Sequence, residues 1–110
     1  MGQVFKNYLN SSHVYCCVSC NTHLSAKEYV ISKNFQGQYG PAYLVKSVIN
    51  VSEGEPEDRD MLTGVHTACN IMCIDCQKIL GWKYIKAFEQ DQKFKEGMYI
   101  LEKLLISRVK

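Results

Sequence analysis

Nowhere in its 110 residues does the chain contain an apolar run approaching the roughly 18 residues that a membrane-spanning helix needs. Its first residues, Met1-Gly-Gln-Val-Phe-Lys, also lack the apolar centre of a secretory leader, so neither membrane insertion nor secretion is predicted. Gly2 raises the question of N-myristoylation, but Lys6 stands where that pattern wants Ser or Thr, and no lipid anchor is expected. Asn10-Ser-Ser and Asn50-Val-Ser match the N-glycosylation pattern, which is idle in a protein that never meets that machinery. Charge of one sign is scarce too. Thirteen Lys plus Arg face eleven Asp plus Glu, a formal net charge of +2, so bulk charge makes no case for nucleic acid. Tryptophan occurs once, no low-complexity tract is present, and no cysteine follows Cys76.

Cysteine is where the chain is rich. Six occur, four of them as two Cys-x-x-Cys pairs, Cys17/Cys20 and Cys73/Cys76. Such a turn offers two thiolates from one knuckle, and two knuckles complete the tetrahedral shell of a structural zinc ion. Residues 21–72, 52 in all, lie between them, so one zinc held by Cys17, Cys20, Cys73 and Cys76 would pin the two halves of the chain together. In a chain with no leader this fits metal better than disulfides. Four thiolates and one Zn²⁺ add −2, which brings the loaded protein near neutrality. Cys16 and Cys69 are left over. Either creates an alternative register, Cys16 in place of Cys17 or Cys69 in place of Cys73, but only the tight pairs give matching knuckles. The spare thiols read as small apolar groups rather than redox centres.

A length of 110 residues with 46% hydrophobic side chains is one globular domain with a modest core. Residues 1–110 therefore read as a single domain, with its core over about 13–106. Runs rich in β-branched and aromatic residues predict strands at His13-Val-Tyr-Cys-Cys-Val, Glu28-Tyr-Val-Ile-Ser, 42–51 and Gly81-Trp-Lys-Tyr-Ile-Lys-Ala-Phe. In 42–51, Tyr43 and Val45 alternate with Leu44 and Lys46, and both faces are partly apolar, as in a central strand. Gly37, Gly40 and Pro41 punctuate its start, and the acidic stretch of about 53–60 reads as a mobile polar loop. Near the C-terminus, Ile100, Leu101, Leu104 and Leu105 fit a helical stripe as well as a strand.

The residues now on the page resemble a family. Tyr15-Cys-Cys-Val-Ser-Cys with His23-Leu24, Phe35-Gln-Gly-Gln-Tyr-Gly-Pro-Ala-Tyr-Leu, Met61-Leu-Thr-Gly-Val-His, Ile71-Met-Cys-Ile-Asp-Cys, Leu80-Gly-Trp-Lys-Tyr and Gln92-Lys-Phe-Lys-Glu-Gly-Met-Tyr-Ile-Leu-Glu are similar to the Yippee proteins from Val4 to Glu102. The resemblance implies a mainly β fold, a zinc-stapled β-tent of two antiparallel sheets similar to cereblon's drug-binding domain and the B-type methionine sulfoxide reductases. It turns the C-terminal ambiguity toward a strand. It also implies residence in nucleus and cytoplasm, links to cell division and protein turnover, and association of some members with a multi-protein ubiquitin ligase. Asn70, where the family usually has Asp, Phe94 in place of a Tyr, and the extra Cys16 and Cys69 depart from the pattern. An amide at 70 would keep a hydrogen bond and lose a charge.

Trp82 and Tyr84 alternate onto one face of a strand, and the corresponding run in cereblon helps form an aromatic pocket. An aromatic wall suits a flat or cationic group. A lone Trp is as readily core, and with one Trp no cage of three tryptophans exists here, so Phe35, Tyr39, Tyr43 and His66 are the candidates to complete a groove. His66 is more simply a satisfied histidine bridging strand and loop, and His23 is not needed by a metal that has four thiolates. A Cys₄ shell leaves no open position for zinc catalysis, and the reductases keep their thiol near the chain end, where this sequence has none. The reading is therefore a non-enzymatic, zinc-binding interaction module for a protein or peptide partner, with no nucleic acid and no membrane expected. A scaffold subunit docking through surface groups such as Lys83, Lys86, Glu96 or Lys103 is the alternative, and a thiol-dependent reductase using Cys16 or Cys69 a remoter one.

Overall fold

In the computed structural model, which describes residues 7–109, stretches of β-branched and aromatic residues form strands joined by short turns. Gly2 and Lys6, and the outermost residues of the 1–110 domain, lie outside the described residues. In chain order the strands are β1 (Val14–Cys17), β2 (His23–Ala26), β3 (Val30–Gly37), β4 (Gly40–Val45) and β5 (Val51–Glu53). They continue with β6 (Glu57–Met61), β7 (Gly64–Cys73), β8 (Ile79–Ala87), β9 (Tyr99–Glu102) and β10 (Ile106–Val109). Short 3₁₀ turns occupy Lys27–Tyr29, Gln90–Lys95 and Lys103–Leu105. Two antiparallel sheets result. The smaller runs β10-β1-β2, and the larger runs β3-β4-β9-β8-β7-β5, with β6 pairing the first half of β7. Among the described residues no helix is long and apolar enough to cross a membrane.

Alternation along the inner strands gives the large sheet two apolar faces. One packs against the small sheet through the buried side chains of Cys17, Leu24, Val45, Ile71, Leu80 and Leu101. The other gathers Ala42, Leu44, Tyr84 and Ile100, with Phe35, Met61, Trp82 and Met98 partly buried on it. Each fully buried Leu or Ile stabilises the fold by roughly 1.5–3 kcal/mol. Leu80 and Trp82, two apart, would normally share a face. A bulge between Ile71 and Met72 against β8 sends Leu80 to the first face and Trp82 to the second.

Three local expectations differ from what forms. The strand expected over 42–51 is split: β4 ends at Val45, residues 46–50 leave the sheet, and β5 begins at Val51, directly after Asn50 turns the chain with φ 60°. Its buried amide donates to the carbonyls of Asn7 and His23, both at 2.8 Å, and its Oδ1 accepts from the Asn7 amide at 2.8 Å. That nitrogen is committed within the fold. The acidic stretch 53–60 is not one loop: Glu57–Met61 is a strand, with Thr67 donating to Asp58 Oδ1 at 2.6 Å. Acidic side chains on an exposed edge strand also guard it against pairing with another chain. Near the C-terminus Ile100 and Leu101 point to opposite faces of β9 while Leu104 is 70% exposed, so no helical stripe forms.

Candidate metal centre and aromatic groove

The two knuckles are built alike. Between β1 and β2 the Asn21 amide donates to the Cys17 carbonyl at 2.8 Å and the Cys17 amide to the Thr22 carbonyl at 2.9 Å. Between β7 and β8 the Gln77 amide donates to the Cys73 carbonyl and the Cys73 amide to the Lys78 carbonyl, both at 2.9 Å. Asn21 (φ 62°) and Gln77 (φ 64°) adopt the left-handed conformation one residue past each second cysteine, which closes the turn. One knuckle ends a strand of the small sheet and the other a strand of the large sheet, so their junction ties the sheets together.

The four Sγ atoms of Cys17, Cys20, Cys73 and Cys76 lie within 4.8 Å of one another. Across the junction Cys17 is 3.6 Å from Cys76 and Cys20 is 3.5 Å from Cys73. Sulfurs about 2.3 Å from a tetrahedral zinc sit roughly 3.8 Å apart, so the residues fit one such ion. Burial pushes the Cys17 thiol up to about 12 and raises Cys76 as well. At Cys20 burial acts in the same sense, but hydrogen bonds from the Thr22 hydroxyl, at 3.1 Å, and the Thr22 amide outweigh it and bring the thiol to about 7. Zinc supplies the charge that lets all four become thiolates. No ring nitrogen competes: His23 Nδ1 accepts from the Leu9 amide at 3.0 Å and Tyr8 stacks edge-on against it.

Cys16 and Cys69 are fully buried and are not among the four clustered thiols, and both are pushed up, by burial first and then by Cys20 and Glu53 respectively. A nucleophilic thiol needs the opposite, a lowered value and access, so neither is poised for reductase chemistry.

On the second face lies a groove of about 610 Å³. β8 contributes Trp82 and Tyr84, β3 contributes Phe35, the β6–β7 hairpin Met61, and the 3₁₀ segment Phe94 and Lys95. Of the six aromatic and histidine candidates, the structure brings Phe35, Trp82 and Tyr84 together there. Trp82 and Tyr84 meet edge to face at 6.2 Å. Burial raises the Tyr84 phenol, offset in part by the nearby indole, although the indole Nε1 itself is buried and, among the described residues, lies outside hydrogen-bonding geometry with any partner.

The other three candidates are elsewhere. His66 is fully buried behind Tyr84, ring centres 5.1 Å apart, and donates from Nδ1 to the Gly64 carbonyl at 3.0 Å. Tyr39, 57% exposed, lines a smaller cleft beside Trp82. Tyr43 points to the opposite face of β4, against Tyr15 and beneath Lys33, because it alternates with the groove-side Ala42 and Leu44. Met61, Phe94 and Lys95 belong to the groove and were not legible as such, since they come from a hairpin tip and a 3₁₀ turn without periodicity. Four bonds hold that turn over β8: Gly97 N to Tyr84 O, Tyr84 N to Met98 O, Lys93 Nζ to Ala87 O and Ala87 N to Glu96 Oε2, at 2.8–3.1 Å.

Comparison with known proteins agrees with this geometry. A family model described as Yippee zinc-binding/DNA-binding/Mis18, centromere assembly, matches residues 13–110. Protein yippee-like 4 of Homo sapiens is 50% identical over 101 residues, covering 91% of this chain and 80% of that protein. Protein yippee-like 3 of Danio rerio is likewise 50% identical over 101 residues, covering 91% and 85%. Among solved structures the Mis18 "Yippee-like" domain superposes with a TM-score of 0.72 over 89% of this chain and 95% of that one; at 11% identity this speaks to fold alone.

Proposed function

Since the chain belongs to the Yippee-Mis18 family, we propose that it is a non-enzymatic interaction module in which the zinc staple holds a rigid sheet and the aromatic groove receives a peptide segment of a protein partner. One observation carries the reading: a cavity of about 610 Å³ lined by Phe35, Trp82, Tyr84 and Phe94, within the range of ligand pockets. A closed Cys₄ shell and two unactivated spare thiols supply no chemistry that such a groove could serve. The setting we assign is regulation in cell division or protein turnover, in nucleus and cytoplasm, in keeping with the centromere-assembly description of the family model. Nucleic acid stays outside the proposal even though the same description includes DNA binding. The formal net charge is +2 before metal, and Lys83 and Lys93 face Glu53 and Glu96 at 3.1 and 3.6 Å.

The test compares wild type with Trp82→Ala and Phe94→Ala at matched zinc content and melting temperature, reading capture of partner segments by affinity selection from a displayed peptide library. Selected sequences that bind wild type and lose both variants support the groove. Partners that bind all three proteins equally but are lost on charge reversal at Lys86 or Lys103 would transfer the function to a scaffold surface, including one within a ubiquitin-ligase assembly.

A further inference from the structure

Aromatic rings facing a cavity usually announce a seat for a cation. Here the seat is taken by the protein itself. Lys95 is only 3% exposed, and its ammonium lies 5.2 Å from the Phe35 ring centre, 5.3 Å from Tyr84 and 5.9 Å from Phe94. One of its three protons goes to Thr63 Oγ1 at 3.0 Å. Among the described residues it forms no ion pair; the closest electrostatic help is the weak pull of Asp91, and loss of hydration lowers its pKa. A buried ammonium with donors to spare and rings on its flanks is under-satisfied.

The other charges at the groove do not cancel it. Arg59 also lines it, but its guanidinium is held by Glu57 Oε1 at 3.0 Å and Asn70 Oδ1 at 3.0 Å, while Asp60 is exposed. Among the described residues β3, which borders the groove, is paired on one side only, to β4. Its outer edge leaves backbone donors and acceptors for an added extended segment, whereas the acidic β6 edge does not invite one.

Building on the groove reading above, we propose that the groove selects an acidic side chain, Glu or Asp within an extended peptide, whose carboxylate sits on the Lys95 ammonium while its methylenes and an apolar neighbour pack on Phe35, Trp82 and Tyr84. A carboxylate completes the hydrogen bonding of the ammonium in a partly dry site, where charge-assisted bonds are at their strongest. Lysine, methylated or not, meets a resident positive charge and is excluded.

The experiment uses the zinc-loaded full chain and fluorescent peptides, acetylated at the N-terminus and amidated at the C-terminus, with a central Glu, Gln, Lys or trimethyl-Lys between apolar residues. The Glu peptide should bind about tenfold or more tighter than its Gln twin, and the Lys forms weakest. Lys95→Met should abolish the preference for Glu over Gln; the Glu-to-Gln change in the peptide tests the same point on the unaltered protein. Equal Glu and Gln affinity, or a preference for either Lys form, would overturn the inference. If such peptides still lose affinity with Trp82→Ala, the groove reading survives that failure; if no peptide binds, or Trp82→Ala changes nothing, both fall.

Discussion

Replacing any one zinc ligand with Ser should unfold the chain, and replacing either spare cysteine should not. Cys20 and Cys73 bracket residues 21–72, 52 in all, and join the end of a small-sheet strand to the end of a large-sheet strand. A covalent cross-link closing a loop of this length restricts the unfolded chain by on the order of 4 kcal/mol. Coordination itself contributes about 10–16 kcal/mol in small zinc domains at neutral pH, against about 5–15 kcal/mol of total stability in an ordinary domain. Loss of the metal therefore exceeds what the core can offset. Cys16 and Cys69 are buried, but among the described residues the one side-chain hydrogen bond of the Cys69 thiol is a long 3.9 Å approach to Glu53, so Cys→Ala at either position should lose roughly 1 kcal/mol. Zinc per chain by elemental analysis, together with the thermal melt followed in the near-ultraviolet circular dichroism band of Trp82, separates the two classes. The reasoning is refuted by a Cys73→Ser protein that carries no zinc yet melts cooperatively within a few degrees of wild type. A Cys69→Ala protein that loses its zinc would instead show that the register of the ligands was misassigned.

The ligands were legible because zinc chemistry leaves a mark that is local in sequence: two thiols three residues apart, twice. The fold was legible in part for a similar reason, since alternation at Tyr43, Leu44 and Val45 describes a strand with two buried faces, as β4 has. Alternation carries no information about where the chain leaves the sheet. The segment that leaves it is tied down by Asn50, whose buried amide hydrogen-bonds Asn7 and His23, 43 and 27 residues away. The groove was half legible for the same reason. Trp82 and Tyr84 share a strand face, but a bulge places Leu80 on the other, and Tyr43, chosen for its ring, faces away from them. Lys95 shows the limit most plainly. In sequence it is one lysine of a mixed-charge run; only the turn held over β8 buries it among three rings contributed by positions 35, 84 and 94.

Zinc affinity should strengthen as pH rises, because binding expels protons from Cys17 and Cys76, whose thiols burial holds up, and from the half-ionised Cys20 near 7. Competition with a chromophoric chelator should show about tenfold or more per pH unit between pH 6 and 7, and a flat profile would contradict it. Gly81→Ala places a methyl on the carbonyl oxygen of Ile100 in the adjoining strand, a backbone atom with nowhere to move. It should lower stability by about 3 kcal/mol and the melting temperature by about 15 °C, whereas a change under 3 °C would show that the strands separate easily. Asn70→Asp should act in the opposite sense. Asn70 Oδ1 accepts from the Arg59 guanidinium at 3.0 Å, and Asp keeps that acceptor while adding a charge. The Arg59 side chain is 23% exposed and already shares Glu57 at 3.0 Å, so solvent and the existing partner limit the gain to about 0.5–1 kcal/mol, a rise of a few degrees that shrinks at high salt. Since the change lies at Arg59 and leaves Lys95 untouched, the preference of the groove for Glu over Gln should persist in this variant. Its disappearance would mean that Arg59, not Lys95, had been the cation that the peptide sought.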